Sequence, residues 1–374
     1  MQNRREFLIA SGKGLLCASV AAKVEMDAAG DAFQWRNRQS GMAYRRLGRT
    51  GMMISEVVMG GNTIAPDNYD HVLLALDHGL NYLDTAPAYG QGKSEEGYSH
   101  VIRARGRDKF FLTSKISPWD INRNKLFQEI FASLPASEQT KLRNKALDEI
   151  ARRKADDPDY FCNYFNGQRK ELDDAALSNV MEKEYGRSID REKNYNKIIV
   201  DSVDRSLSRL GTDHLDCMLC PHGANTPYEL LNFPEIFEAF ETLKKMGKVR
   251  YLGVSAHTDP GGILEAAVEA KLYSMAMVAF NVVNQSYVAT ALKRAKDNDL
   301  GVIAMKVARP VYPSPNRPAD PRRAKLLDEA VSGSWKPPQK AYLWALRNPN
   351  LTAVISEMVN AEMVKDNLPL AGKS

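Results

Sequence analysis

His78-Gly79-Leu80-Asn81-Tyr82-Leu83-Asp84-Thr85-Ala86-Pro87-Ala88-Tyr89-Gly90 joins a helix, a strand and a loop in one short stretch. It leaves a run of helical periodicity, Tyr69 to His78, crosses a glycine, and enters a short apolar run at 81–84 that stops on an acid. A loop with a proline then carries Tyr89. An apolar run this short, bounded by glycine and proline, reads as a strand buried on both faces. The unit repeats. Short apolar runs stand at 56–60, 81–84, 110–114, 215–219, 251–254, 275–280, 302–305 and 353–356. Helical spacing lies between them, as in Val200 to Leu210, Ile236 to Met246, Ile263 to Ala270, Val288 to Asn298 and Lys340 to Arg347. Strands alternating with helices imply an α/β chain with a parallel sheet covered on both faces. Eight strands close a (β/α)8 TIM barrel of roughly 250 residues, and insertions extend it. A doubly wound sheet announces itself by G-x-G-x-x-G after its first strand, and Met59-Gly60-Gly61-Asn62 does not fit that pattern.

Working outward, Tyr44 to Leu47, the turn Gly48-Arg49-Thr50-Gly51 and Ile54 onward predict an N-terminal hairpin that leads into the first barrel strand. The long polar stretch 117–193 follows the third strand. Leu142, Ala146 and Ile150 recur at four-residue spacing there, which predicts a mainly helical insertion. It leaves the C-terminal end of a strand, so it is expected over the mouth of the barrel as a lid. Its aromatic cluster, Tyr160, Phe161, Tyr164 and Phe165, serves either to cover substrate or to fill the lid's own core.

Three strand ends carry ionisable groups. One stops on Asp84, with Tyr89 in the loop beyond it; one stops on Lys115; one is followed by Pro221-His222. Each has an ordinary structural role open to it: a turn cap, a solvent-facing lysine, a satisfied histidine. In a barrel, however, the C-terminal strand ends meet around one mouth, where catalytic groups collect. An acid, a base, a phenol and an imidazole arriving together make an acid–base site.

Residues 78–90 resemble the signature of the aldo-keto reductases. Leu112-Thr113-Ser114-Lys115 resembles that family's lysine strand, and Asp201 to Asp216 the helix and strand before its histidine. Gly247-Lys248-Val249-Arg250-Tyr251-Leu252-Gly253-Val254-Ser255 is similar to the strand after it. The resemblance covers roughly 44 to 116 and 195 to 370. It implies hydride transfer between a nicotinamide cofactor, NAD or NADP, and a small-molecule carbonyl or alcohol, with a sugar among the options. Tyr89 would be the general acid and base, Lys115 would lower its pKa, Asp84 would hold Lys115, and His222 would orient the carbonyl.

The same resemblance places the cofactor against Gly60, Ser255, Met305, Lys306, Glu362 and Asn367. There are departures. Ala256 stands where the family has asparagine, Met277 where it has glutamine, and Glu357 where it has glycine. The positions of the cations that hold a 2′-phosphate fall on Val359 and Met363, while Glu362 suits a free ribose hydroxyl; this favours NAD over NADP. Trp119 either lines the substrate pocket or packs beneath the lid.

Residues 1–42 read as a leader and linker, and 43–374 as the barrel. Asn3-Arg4-Arg5-Glu6-Phe7-Leu8 followed by a short apolar stretch, Gly14 to Ala22, matches a twin-arginine (Tat) export signal. Ser19-Val20-Ala21 offers a small-residue cleavage site. The stretch is too short for a membrane anchor, and Leu16 argues against lipid on Cys17. The Tat machinery would then be a partner and the periplasm the destination. The net charge of +5 is spread without a basic run, so no nucleic-acid partner is expected. Cys217 and Cys220 lie three apart on a strand and therefore face opposite sides; no metal site is read from them. Three functions fit: a carbonyl reductase or alcohol dehydrogenase; an enzyme that oxidises and re-reduces one substrate on a tightly held cofactor, as in epimerisation; and a nucleotide-binding sensor or partner subunit without catalysis.

Overall fold

The structure, a computed structural model, describes residues 33–312 and 320–374. The leader, from Arg4-Arg5 to Ala22, lies outside the described residues. Eight parallel strands close into a barrel: β4 (Val57–Met59), β5 (Tyr82–Asp84), β6 (Phe111–Lys115), β7 (Leu215–Leu219), β8 (Val249–Ala256), β9 (Met275–Ala279), β10 (Gly301–Met305) and β11 (Ala353–Ser356). Every run expected as a strand is one. Strand periodicity sorts their side chains. Val58, Tyr82, Phe111, Cys217, Leu219, Met275, Met277, Ile303 and Met305 fill the interior. Their neighbours Val57, Met59, Leu83, Leu112, Met218, Val278 and Val354 face outward and join the helices in one large apolar layer. Cys217 belongs to the inner layer and Cys220 to the outer, as their spacing requires.

Helices cover the barrel. Ahead of the third strand stand α1 (Asp70–Asp77) and α2 (Lys93–Arg105). The stretch 117–193 is mainly helical, with α3 (Ser117–Ser133), α4 (Ala136–Arg153), α5 (Pro158–Phe161) and α6 (Gln168–Tyr185). Then come α7 (Lys197–Leu210), α8 (Tyr228–Leu231), α9 (Pro234–Lys245), α10 (Pro260–Ala270), α11 (Gln285–Asp297), α12 (Pro321–Ala330), α13 (Pro337–Leu346) and α14 (Ala361–Asn367). The inserted helices have a core of their own, in which Phe127 and Phe131 meet Leu142, Ala146, Ile150, Phe161, Leu172 and Met181.

The structure differs from the expectation at 33–42. These residues are folded onto the barrel. β1 (Gln34–Trp35) pairs in parallel with β3 (Met52–Ser55), whose other edge pairs antiparallel with β2 (Tyr44–Arg46). The hairpin is thus part of a three-stranded sheet. Leu47, Met52 and Ile54 plug the barrel's N-terminal end. Gly48, at φ +46°, lies against the barrel backbone: a Cβ there would stand 2.2 Å from the backbone nitrogen of Gly301. The segment escaped a pattern reading because polar contacts hold it. Asn37 Nδ2 donates to the carbonyls of Leu76 and Leu80, and Arg36 pairs with the buried Asp216.

Candidate active site

The ends of β5, β6 and β7 bring Asp84, Lys115 and the His222 loop to one mouth. Register fixes this, since Asp84 lies opposite Thr113 and Lys115 opposite Leu219. Lys115 Nζ donates to Asp84 Oδ1 at 2.6 Å, Asp84 Oδ2 at 2.5 Å and the Thr85 carbonyl at 3.0 Å. It also lies 3.0 Å from the Tyr89 hydroxyl. Lys115 and Asp84 are each 1% exposed. Tyr89 is set by a sharp backbone turn, for Gly90, Gln91 and Gly92 all have positive φ. The His222 ring meets that of Tyr89 edge to face, with centroids 5.9 Å apart. All four expected acid–base residues therefore converge.

Burial enters their electrostatics beside the expected pull of Lys115. Burial raises the Tyr89 phenol above its ordinary value; Lys115 pulls it down as foreseen, but not enough, and Asp84 works against Lys115. Burial also raises the Asp84 carboxyl, opposed by Lys115. Lys115 holds its proton more tightly than a free lysine because Asp84 and Tyr89 together outweigh burial. Tyr89 is thus a phenol at neutral pH, next to an ammonium that stabilises its conjugate base. Burial, with Lys115 adding to it, pushes the His222 imidazole down to about 3, so this ring is neutral.

The residues expected to hold the cofactor separate into two groups. Ser255, near the end of β8, has a buried hydroxyl with no hydrogen-bond partner among the described residues, a donor that a polar group of a bound nicotinamide would satisfy. Met305, the last residue of β10, and Met277, opposite Ser255 in register, both belong to the inner layer. Lys306 follows Met305 in a left-handed backbone conformation and is only partly accessible; burial lowers its pKa, with Glu357 opposing. Asn367 uses its amide to anchor α14 to Ser356 Oγ, 3.1 Å away, and is 4% exposed. Glu362 is exposed in the first turn of α14. Gly60 needs no glycine for steric reasons, as a Cβ would find ordinary contacts. Gly61 does need one, for a Cβ there would stand 2.1 Å from the Asp84 carbonyl oxygen. Trp119 is fully buried, edge on to Phe233 at 5.0 Å and tilted against Tyr195, which is the packing alternative.

Sequence reading missed several groups. Ser117 Oγ is 2.6 Å from His222 Nδ1. Asp120 Oδ2 accepts from the backbone N–H of His222 at 3.0 Å and of Gly223 at 3.3 Å. Burial, with Glu229 nearby, raises the Asp120 carboxyl to about 8. Their only sequence signal is polarity at a helix start just after Lys115. His257, two residues past Ser255, packs edge on to Phe165 of the insertion at 5.2 Å. The aromatic cluster is divided in its duties. Phe161 lies in the insertion's core. Tyr160 stacks on Tyr287 and donates to Asp259 Oδ1 at 2.7 Å. Tyr164 is buried, and its hydroxyl accepts from Asn281 Nδ2 at 2.8 Å. With Arg153 Nε donating to Asp259 Oδ2 at 2.7 Å, these contacts seat the insertion over the β8 and β9 ends.

Among the described residues no group of acids, histidines and cysteines is arranged to hold a metal, and no helix is long and apolar enough to cross a membrane. The sequence profile of the aldo/keto reductase family matches residues 55–153 and 180–371. An uncharacterized oxidoreductase of Bacillus subtilis, YqkF, is 24% identical over 351 residues, which cover 88% of this chain and 91% of that protein. A second, YrpG, is 25% identical over 361 residues, 87% of this chain and 90% of the other. An aldo-keto reductase from Bacillus halodurans, solved in its holo form, superposes with a TM-score of 0.59 at 19% identity, covering 89% and 92% of the two chains. One from Klebsiella pneumoniae, solved with NADPH, gives 0.51 at 19% identity and 88% and 89% coverage.

Proposed function

The chain belongs to the aldo/keto reductase family and is a nicotinamide-dependent oxidoreductase, and from that premise we propose that Tyr89 is its general acid and base on a small carbonyl or alcohol. The observation that carries this is the 3.0 Å contact between Lys115 Nζ and the Tyr89 hydroxyl, made by a lysine already held by Asp84. A nicotinamide supplies hydride when bound. Tyr89 gives its phenolic proton to the carbonyl oxygen as negative charge develops there, and recovers it in the reverse direction. Lys115 stabilises the phenolate left behind, and Asp84 keeps the ammonium in place without leaving a net charge in the pocket. His222, being neutral, offers one N–H to the same oxygen. Ser255 and Lys306 are proposed to hold the cofactor, Ser255 through its unpartnered hydroxyl. Tyr89→Phe is expected to lower turnover by about 100-fold or more while nucleotide binding, followed by fluorescence, stays within a factor of a few. Turnover at the wild-type rate would overturn the assignment.

NAD is the proposed cofactor, because Val359 and Met363 bring no cation and Glu362 is exposed on the first turn of α14. The solved relative with NADPH is a reason to test both. A second reading, oxidation and re-reduction of one substrate, draws support from the insertion. It is seated on the β8 and β9 ends, the side where Ser255 stands, and this favours slow cofactor exchange. The twin-arginine leader leads to the proposal that the folded chain is exported with cofactor inside. Mass spectrometry of nucleotide released from the native periplasmic protein tests all three points. NAD in near-stoichiometric amount is expected. Protein confined to the cytoplasm, or free of nucleotide, would count against export with bound cofactor.

A further inference from the structure

Ser117, Asp120 and Arg123 lie on one face of α3, spaced three residues apart; the first two reach the loop that follows β7, and Arg123 reaches it through Glu229 of α8. Ser117 Oγ meets His222 Nδ1 at 2.6 Å. Asp120 Oδ2 accepts from the peptide N–H groups of His222 and Gly223. Arg123 Nη1 donates to Glu229 Oε1 at 2.8 Å, and Glu229 Oε2 accepts from the N–H groups of Asn225 and Thr226 at 2.9 and 2.7 Å. Ser117 is 7% exposed, Arg123 0% and Glu229 1%. The loop carrying the imidazole is therefore hung from α3 through buried polar contacts, each of which replaces water that the loop no longer reaches.

A neutral imidazole has one N–H and one acceptor nitrogen, and its neighbours decide which is which. The contact with Ser117 allows two arrangements. If Nδ1–H donated, the serine proton would have no protein acceptor, since Ser117 Oγ makes no other hydrogen bond among the described residues. An unsatisfied buried donor is costly. If the hydroxyl donates, both groups are satisfied and the ring proton sits on Nε2.

We propose that Ser117 and Asp120 are positioning residues for His222: Ser117 donates to Nδ1 and fixes the ring proton on Nε2, while Asp120 holds the peptide from which the ring hangs. The catalytic meaning of this rests on the reading of His222 as a donor to the substrate oxygen; the tautomer does not. It gives α3 a task distinct from covering substrate. It also makes the start of the insertion part of the reaction machinery.

The test uses full-length protein with 15N-labelled histidine. Long-range proton–nitrogen spectra report each ring's tautomer, and the His222 signals are those lost in His222→Gln. The wild type is expected to show neutral Nε2–H at His222 from about pH 5 to 8. A neutral Nδ1–H pattern there overturns the proposal, whatever any variant does. Ser117→Ala is expected to populate both tautomers and to lower kcat about tenfold, the fold-change of one lost hydrogen bond, with 4-nitrobenzaldehyde as probe substrate and cofactor affinity unchanged; Ser117→Thr restores both. Asp120→Ala is expected to lower kcat without changing the tautomer. A Ser117→Ala protein that keeps pure Nε2–H and the full rate removes Ser117 from the site. The reductase reading fails separately, through Tyr89→Phe.

Discussion

At the scale of single residues, the proposed site depends on groups that would be unremarkable in water being buried within reach of one another. Lys115 is an ordinary lysine until the Asp84 carboxylate and the Tyr89 hydroxyl surround it. Burial raises Tyr89, so the proton required for carbonyl reduction is in place at neutral pH. The sign of the pH dependence follows. Reduction needs the phenol, and its rate holds through neutrality and falls only in the alkaline range; oxidation needs the phenolate and rises with pH. His222 is held down at about 3, so it adds no inflection near the ordinary histidine value. Profiles of kcat/KM in both directions from about pH 5 to 10 check this. A bell centred near neutrality, with a limb that disappears in His222→Gln, would show that the imidazole titrates and that its environment is misjudged. The sequence made Asp84, Tyr89, Lys115 and His222 legible because each ends a strand or opens the next loop. It left Ser117 and Asp120 obscure, because what they touch is over a hundred positions away.

At the scale of elements, most barrel strands were readable because they are buried on both faces and rich in apolar residues, as in β4, β9 and β10; β6 is equally buried yet ends on Thr113, Ser114 and Lys115. The helices between them were readable from spacing. Boundaries moved by a few residues where caps and prolines decide them, as at Pro260 and Pro337, which open α10 and α13. The insertion was legible as helical, through Leu142, Ala146 and Ile150, which all turn out buried. Its placement was only half legible. A lid over the mouth was expected, and α5 with the residues after it does reach the β8 and β9 ends. That α3 runs beneath, hanging the His222 loop by i, i+3, i+6 polar residues, is a matter of how two distant segments meet. Periodicity reports which face of a helix is apolar and is silent on a polar face that is also buried. The family profile resumes at 180 after stopping at 153, so the stretch it leaves unmatched, 154–179, contains α5 with its aromatic cluster. That is the segment through which Tyr160 and Tyr164 touch the barrel.

At the scale of the whole molecule, the two ends of the barrel do different work. The C-terminal end carries the proposed site and the insertion; the N-terminal end is closed by the small sheet and tied by the buried Asp216 carboxylate. Asp216 is wholly buried and accepts from Arg36 at 3.0 Å, Arg107 at 2.8 Å, Arg250 at 2.6 Å and the Leu112 N–H at 2.9 Å. It ties residues 33–36 to β6, β7 and β8. Asp216→Asn leaves three guanidiniums without their counter-charge and is expected to cost about 3 kcal/mol in denaturant unfolding, the low end for a broken buried pair because the arginines reach solvent. Burial raises this carboxyl, but Arg107 and Arg36 outweigh it and hold it below its ordinary value. Its contribution is therefore present above the unfolded pKa of about 4 and is lost as pH falls through the folded value, so the gap between variant and wild type narrows in acid. A gap that is absent at neutral pH would mean the sheet is held by its apolar plug alone. The sequence by itself determined the barrel, because eight doubly buried strands alternating with amphipathic helices have few other ways to hide their apolar faces. It also pointed to the four residues of the proposed acid–base site, because strand ends in such a barrel must meet. Only the tertiary structure decided that residues 33–42 belong to the fold, that burial outweighs Lys115 at Tyr89, and that α3 holds His222. Each of these depends on polar groups meeting across long stretches of chain with water excluded, and no local pattern encodes that.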